Sequence, residues 1–435
     1  MRPFFVAMQK RLAVYTLGCR VNAFESACIE DDARLAGFEV VDWSQEADIG
    51  IVNSCALTTL AEAKTRQIVR MFARKNPQSK IAVVGCYAHT SPEDVKKLEN
   101  VEWVLGNDKK ASVVDVILSD VESVNLGDVV NTDLSLVGSS PLSDRMNLKI
   151  QDGCDNFCSY CIIPRARGLP RSLNFDKIVD DAKNLVSRGV RELVLTGINI
   201  AKFSTDKGGM VELIDTLNEI PELYRIRLGS IEPPFAQLDA VLERIKDSSH
   251  KLMPHLHISA QSLSDVVLER MRRKHSAKDF LKMVEKCVEV YPDISIGGDI
   301  ICGHPAETQI EFEITKKALI NSGVAYMHVF TFSPRPKTLA WNMKDTPPAN
   351  VRKSRADELR EAVKEIRAKF VSSQVGKIRS VLFEHQLTSD TYFSHTDNYI
   401  PTVIKCSKAN MKNTLLNVAL EMGNSADSLS AESKL

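Results

Sequence analysis

Cys154, Cys158 and Cys161 stand in a C-x3-C-x2-C pattern within GCDNFCSYCIIPRARG, residues 153–168 of a 435-residue chain. Three thiolates on one short loop can hold three irons of a four-iron cluster and leave the fourth iron without a protein ligand. An open metal position is a place for chemistry, by the logic that separates catalytic from closed structural metal sites. Two other readings of the spacing stay open. One is a zinc site, although zinc usually takes four ligands in paired C-x2-C arrangements. The other is chance spacing of small buried cysteines.

Three further cysteines end strand-like runs. RLAVYTLG (11–18) leads to Cys19, ADIGIVNSC (47–55) ends at Cys55, and KIAVVGC (80–86) ends at Cys86. Between them AFESACIEDDARLAGF and TTLAEAKTRQIVRMFARKN carry helical periodicity with a glycine or asparagine at the end. Strands alternating with helices predict a parallel sheet, and ligands gather outside the carboxyl ends of such strands. Cys19, Cys55 and Cys86 are therefore expected to converge, the alternative being ordinary burial of cysteine as a small apolar residue. Cys28 falls inside the first helical run and reads as core, as do Cys287, Cys302 and Cys406.

Starting with MNLKIQDG (146–153) as the first strand, strand-like and helix-like segments alternate to give six strands. Their carboxyl ends carry polar groups or glycine where active residues of such barrels belong. LTGIN offers Gly197 and Asn199, GSIEP offers Ser230 and Glu232, HISAQS offers Ser259 and Gln261, and GGDIICG offers Asp299. His255 and His257 alternate in one strand, share a face, and read as ordinary hydrogen-bonded histidines.

TLGCRVNAFES, IVNSCALTTLAEAKTRQ, VVGCYAH and GCDNFCSYCIIPRARG together resemble the methylthiotransferase family of radical S-adenosylmethionine enzymes. LGC followed by Arg-Val-Asn, and CIIPRARG, are most similar to its MtaB-type group, which acts on threonylcarbamoyladenosine in tRNA. The resemblance implies an α/β fold in three parts. These are an N-terminal parallel-sheet domain over 10–121, a partial (β/α)6 radical domain over 140–370, and a small all-β TRAM domain of the oligonucleotide-binding kind over 371–424, followed by a disordered tail at 425–435. It implies two [4Fe-4S] clusters, one on Cys154, Cys158 and Cys161 and an auxiliary one on Cys19, Cys55 and Cys86. S-adenosylmethionine would lie against Tyr160, Gly197, Asn199, Ser230, Glu232, Ser259, Gln261 and Asp299. The implied reaction is conversion of N6-threonylcarbamoyladenosine, at position 37 beside the anticodon, to its 2-methylthio derivative by radical sulfur insertion at C2 and methyl transfer. The same chemistry on isopentenyladenosine or on a ribosomal protein, or a non-catalytic iron–sulfur RNA-binding protein, remains as an alternative. Partners would be the tRNA anticodon stem-loop and a reductant such as flavodoxin or ferredoxin, with the chain a cytoplasmic monomer. The chain departs from the family's SLQSGSD and DxIVGFPGET patterns, having Leu263 in place of a glycine and Cys302-Gly303-His304-Pro305-Ala306-Glu307-Thr308 in the second segment. Lost glycines restrict how closely backbone can approach a ligand.

Lys plus Arg equals Asp plus Glu, 56 each, so overall charge gives no sign of nucleic-acid binding. Ten grouped cysteines suit a reducing compartment and metal ligation. No apolar run is long enough for a membrane span. Local charge is less even: twelve Lys or Arg lie between Arg335 and Arg379 against five Asp or Glu, and Arg270, Arg272, Arg273 and Lys274 form a second cluster. Such blocks read as phosphate-contacting surfaces, with a solvated amphipathic helix over 351–370 as the alternative. Residues from about 122 to 144 read as a linker.

Overall fold

The computed structural model describes residues 9–121, 123–125, 127, 144–408, 410–425 and 427–432. The chain divides into two compact units, one of residues 1–140, 152–155 and 161–171, the other of residues 141–151, 156–160 and 172–435. The linker expected at 122–144 lies almost wholly outside the described residues.

The first unit holds a six-stranded sheet in the order Glu39–Val41, Arg11–Thr16, Ile49–Ser54, Lys80–Gly85, Val101–Leu105, Ser123–Asn125. Every pairing in it is parallel. The three runs that end near cysteines form its centre, and Ile49–Ser54 is buried at all six residues. Alternation along each strand sends Ala13, Val52 and Val83 into one apolar cluster and Leu12, Ile51, Ala82 and Val84 into another. Helices Arg20–Leu35 and Thr59–Lys75 supply part of those clusters, and the second begins where Thr58 accepts a hydrogen bond from the Ala61 amide at 3.1 Å. Cys28 is fully buried in the first of these helices.

The second unit contains parallel strands Arg145–Lys149, Glu192–Thr196 and Arg225–Leu228, followed by Ser230–Ile231, His255–Gln261, Ser295–Cys302 and His328–Thr331. Gly229 separates the third strand from its short continuation, and a Cβ there would stand 2.8 Å from the Leu195 carbonyl. Counted with that continuation, these are the six strands of a partial (β/α)6 barrel. An irregularity between Ile258 and Gln261, with Gln261 at φ 64°, turns the end of its strand.

In the same unit, strands Ile378–Thr388, Thr391–Thr396, Pro401–Lys405, Leu415–Ala419, Glu421–Met422 and Leu429–Glu432 make a curled, mostly antiparallel sheet around Phe383, Tyr392, Ile400 and Ile404. The last strand corrects the expectation of a disordered tail at 425–435. Leu429 and Ala431 are buried at alternate positions, and the strand pairs in parallel with Pro401–Lys405. Buried Arg225 and Arg227 hold this sheet through the carbonyls of His395, Ser380, Thr396 and Asp397 at 2.6–3.0 Å. No helix among the described residues is long and apolar enough to cross a membrane.

Candidate iron–sulfur and cofactor sites

In the first unit, Cys55 and Cys86 directly follow their strands and Cys19 follows its strand by a short turn. The three strands are parallel neighbours, so the three cysteines occupy one edge of the sheet. Gly18, at φ 100°, runs so close to Cys55 that a Cβ would lie 2.8 Å from its Cβ and Sγ, and only glycine fits. Side chains then fasten the three turns together. Asn22 Nδ2 donates to the Leu17 carbonyl at 2.6 Å and the Ser54 carbonyl at 3.1 Å. Ser54 Oγ donates to the Val84 carbonyl at 2.6 Å and accepts from the Tyr87 and Ala88 amides at 3.2 and 3.3 Å.

Two sulfurs receive N–H donors. The Leu57 amide lies 3.5 Å from Cys55 Sγ, and Asn107 Nδ2 lies 3.4 Å from Cys86 Sγ. Burial pushes the Cys19 thiol up and the Cys55 thiol to about 12, the charge of Arg167 pulls both down, and the neighbouring Cys86 pushes both up. Thiols in such surroundings become thiolates when a cation binds them. Among the described residues no group of three His, Cys, Asp or Glu side chains forms a site for a single metal ion. Three cysteines on separate turns, two of them with N–H donors, suit the distributed ligation of an iron–sulfur cluster, in which each thiolate holds a different iron.

The loop of the second cysteine group starts at Gly153, where φ is 71° and a Cβ would fall 2.0 Å from the Leu169 carbonyl. The Gly153 amide donates to Asp152 Oδ1 at 2.8 Å and the Cys154 amide to the Gly168 carbonyl at 3.0 Å. Cys154 and Cys161 are half-buried.

Cys158, in the second unit, is buried and accepts from Arg273 Nη1 at 3.5 Å. Its neighbour Ser159 donates its amide to the Met271 carbonyl at 3.0 Å, and its hydroxyl meets His304 Nε2 at 3.0 Å. Tyr160 packs edge-on against the His304 ring, which is fully buried. Cys302 is buried as well, its thiol 3.4 Å from the Phe330 carbonyl, so the altered CGHPAET segment serves as packing beneath the loop.

Four expected cofactor or cluster residues meet around Arg273. Its guanidinium pairs with Glu232 Oε1 at 2.7 Å, contacts Cys158, and donates to the Ser259 carbonyl at 3.3 Å. Glu232 Oε2 accepts from Asn199 Nδ2 at 2.7 Å and from Asn156 Nδ2. Burial opposes the Arg273 charge, but Tyr160, Glu232 and Cys158 outweigh it and raise its pKa. Gln151 Oε1 accepts from the Ile198 and Asn199 amides at 3.0 and 2.8 Å, and a Cβ on Gly197 would strike the Gln151 carbonyl at 2.9 Å. Ser230 stands in register with His257. Asp299 is engaged by His257 Nε2 at 3.1 Å rather than by the Arg273 group, and Gln261 occupies the irregular strand end. His255 meets the Tyr326 hydroxyl at 2.8 Å.

Asn156 Oδ1 and Asn199 Oδ1 are buried without a hydrogen-bond partner among the described residues. Buried acceptors of this kind are costly, and they suit a donor such as an ammonium group. Beside them Arg273 offers a cation to a carboxylate, so the neutral acceptors and the cation match the amino and carboxylate groups of a methionyl moiety. Arg273, Asn156 and Gln151 escaped the sequence reading as site residues. Arg273 stood out only as one of a basic cluster, and its largely covered side chain, paired with Glu232, separates it from that cluster.

Part of the larger basic block between Arg335 and Arg379 is spent inside the fold. Arg355 and Arg379 are buried, paired with Glu307 at 2.7 Å and Asp397 at 3.2 Å. Lys353 and Arg360 share Asp357, and Lys364 meets Glu361. The helix Ala349–Ser372 therefore presents charges that are largely matched, closer to a solvated amphipathic helix than to an open phosphate surface.

Residues 148–319 match the Radical SAM superfamily, and residues 11–106 match the family described as Uncharacterized protein family UPF0004. The fold agrees with the solved structure of the radical S-adenosylmethionine methyltransferase TsrM from Kitasatospora setae, with cobalamin and a [4Fe-4S] cluster bound, at a TM-score of 0.55 and 13% identity over 77% of this chain and 74% of that one. The protein is a radical S-adenosylmethionine enzyme. The threonylcarbamoyladenosine tRNA methylthiotransferase MtaB of Rickettsia prowazekii (strain Madrid E) is 34% identical over 90% of both chains. The tRNA-2-methylthio-N(6)-dimethylallyladenosine synthase of Wolbachia pipientis subsp. Culex pipiens (strain wPip) is 32% identical over 86% of this chain and 88% of its own. The chain belongs to the MtaB-type family of radical S-adenosylmethionine tRNA methylthiotransferases, enzymes that use S-adenosylmethionine and a [4Fe-4S] cluster and carry a second cluster.

Proposed function

We propose that this protein converts N6-threonylcarbamoyladenosine at position 37 of tRNA to its 2-methylthio derivative. The observation that carries the reading is the pair of cysteine triplets, one in a C-x3-C-x2-C loop whose Cys158 contacts Arg273 of an Arg273–Glu232–Asn199 group and one across three parallel strand ends. The similarity to an MtaB protein favours threonylcarbamoyladenosine over dimethylallyladenosine. Cys154, Cys158 and Cys161 hold the radical-generating cluster, and Cys19, Cys55 and Cys86 the auxiliary one. Asn156, Asn199 and Arg273 orient the methionyl part of the cofactor, Glu232 holds Arg273 and both asparagines in place, and Tyr160 fills the space over His304. When bound, the two clusters and S-adenosylmethionine supply the radical, the sulfur and the methyl group that an unactivated adenine C–H requires. The base leaves its stack to reach the strand ends, as other base-modifying enzymes require.

The domain limits 10–121, 140–370 and 371–424 belong to the same reading, the last a TRAM-like RNA-binding sheet in a cytoplasmic monomer that takes electrons from a small reductant protein. The test is mass spectrometry of tRNA nucleosides from a strain lacking the gene. Loss of 2-methylthio-threonylcarbamoyladenosine with retained 2-methylthio-isopentenyladenosine is expected, and unchanged levels of the former overturn the substrate.

A further inference from the structure

Within the first unit, the helix Ile163–Arg167 is bound to the auxiliary cysteine site at two points. Asn107 Nδ2 donates both to Cys86 Sγ at 3.4 Å and to the Ala166 carbonyl at 2.7 Å. Arg167, fully buried, donates to Asn22 Oδ1 at 2.6 Å, and Asn22 is the side chain that joins the turns before Cys19 and Cys55. The same guanidinium meets Glu25 at 3.0 Å through each of two nitrogens and Asp152 at 3.0–3.1 Å. Lys110, also buried, pairs with Glu25 at 2.6 Å, and its Nζ lies 3.3 Å from where a Cβ on Gly85, next to Cys86, would stand. Arg171 adds a third cation at Asp152, 3.2 Å away.

Among these pairs Arg167 is a fully buried cation joined through Asn22 to the turns that carry the cysteines. A four-iron cluster in its usual resting state, held by three thiolates, carries about one net negative charge. Arg167 also buries an Nε–H with no acceptor among the described residues, and such a donor is stabilised by an anionic neighbour. The charge of Arg167 acts on Cys19, Cys55 and Cys86 alike.

We infer that Arg167 is the positioning residue of the Cys19–Cys55–Cys86 site, a buried cation delivered by the segment following Cys161 that balances the auxiliary cluster and sets its reduction potential. The inference rests on the assignment of Cys19, Cys55 and Cys86 as ligands, and the experiment separates the two. Full-length protein with Cys154, Cys158 and Cys161 changed to alanine is reconstituted anaerobically and its iron counted. Failure to hold a cluster would overturn the ligand assignment rather than the role of Arg167.

In that background Arg167→Met removes the buried positive charge and keeps the Glu25–Lys110 and Asp152–Arg171 pairs. Full iron content with a reduction equilibrium shifted at least tenfold toward the oxidised cluster, 59 mV for a one-electron couple, supports the inference. Full iron with an unchanged potential overturns it. Arg167→Lys keeps the charge and should restore the original potential; a shift as large as in Arg167→Met also overturns the inference. Should Arg167→Met lose iron, retention of the cluster at its original potential by Arg167→Lys supports the charge requirement, and loss in both overturns it.

Discussion

Arg167 lies fork to fork against Glu25, with Nη1 3.0 Å from Oε1 and Nη2 3.0 Å from Oε2, both side chains almost wholly buried. Bidentate pairing of this kind is strong and geometrically demanding. Glu25 also holds Lys110 at 2.6 Å, so a single carboxylate is shared between two buried cations. Glu25→Gln should therefore destabilise the first unit by about 3–5 kcal/mol, the range for leaving a buried charge without its partner. Chemical denaturation of the full-length apoprotein, followed by Trp43 and Trp103 fluorescence, checks this. With Trp341, the third tryptophan and a residue of the second unit, replaced by Phe, Trp43 and Trp103 remain in the first unit and the signal reports its unfolding.

Gly153→Ala should remove one cluster and spare the other. The new methyl would fall 2.0 Å from the Leu169 carbonyl at a backbone angle, φ 71°, that L residues rarely adopt, so the entry to the Cys154 loop must shift. The residues that fasten the Cys19, Cys55 and Cys86 turns, Asn22 and Ser54, lie elsewhere in the chain. Reconstituted protein should hold roughly half the iron of wild type, with the auxiliary signal intact and no cleavage of S-adenosylmethionine. Full cleavage activity would count against the geometry.

Alkylation sorts the ten cysteines. Cys28, Cys287, Cys302 and Cys406 are buried, and burial pushes the thiols of Cys287 and Cys302 to about 12. Only the thiolate attacks an alkylating agent, so Cys287 and Cys302 are inert near neutral pH, and burial shields Cys28 and Cys406 from the reagent. Native apoprotein treated with iodoacetamide should leave these four unmodified, whereas unfolded protein takes label at all ten; peptide mapping reads the difference. Serine at any one of the four should leave iron content unchanged.

The sequence exposed these sites unevenly, for physical reasons. Runs such as KIAVVGC announce themselves, since buried parallel strands are continuous apolar stretches and end at a glycine or cysteine. Short edge strands such as Glu39–Val41 carry too few residues for periodicity to register. Leu429–Glu432 was hidden in a polar stretch, where only Leu429 and Ala431 turn inward. Partners distant in the chain were invisible. Arg273 reaches Cys158 across 115 residues, and Arg167 reaches Asn22 across 145. Local charge counting assigned Arg273, Arg355 and Arg379 to a phosphate-facing surface, whereas tertiary pairing with Glu232, Glu307 and Asp397 buries them.

Glu192 should give the second unit a defined acid sensitivity. It is fully buried between Arg227, 2.8 Å away, and Arg225, 3.6 Å away. Burial alone would raise its pKa, but Arg227, then Arg225 and Arg145, pull it from 4.5 to about 2. The unfolded chain thus takes up a proton near pH 4.5 that the folded chain refuses until about pH 2. Its stabilising contribution is complete above the unfolded value and falls as pH drops through that window. Glu384, beside the same Arg145 and also held below its usual value, adds to the slope in wild type and variant alike. Glu192→Gln should cost about 3–5 kcal/mol near neutrality by leaving two buried arginines short of an anion. It should also flatten the decline in stability between about pH 4.5 and pH 3. Urea denaturation of both proteins across that range gives the comparison, and parallel slopes would show that Glu192 does not carry the effect.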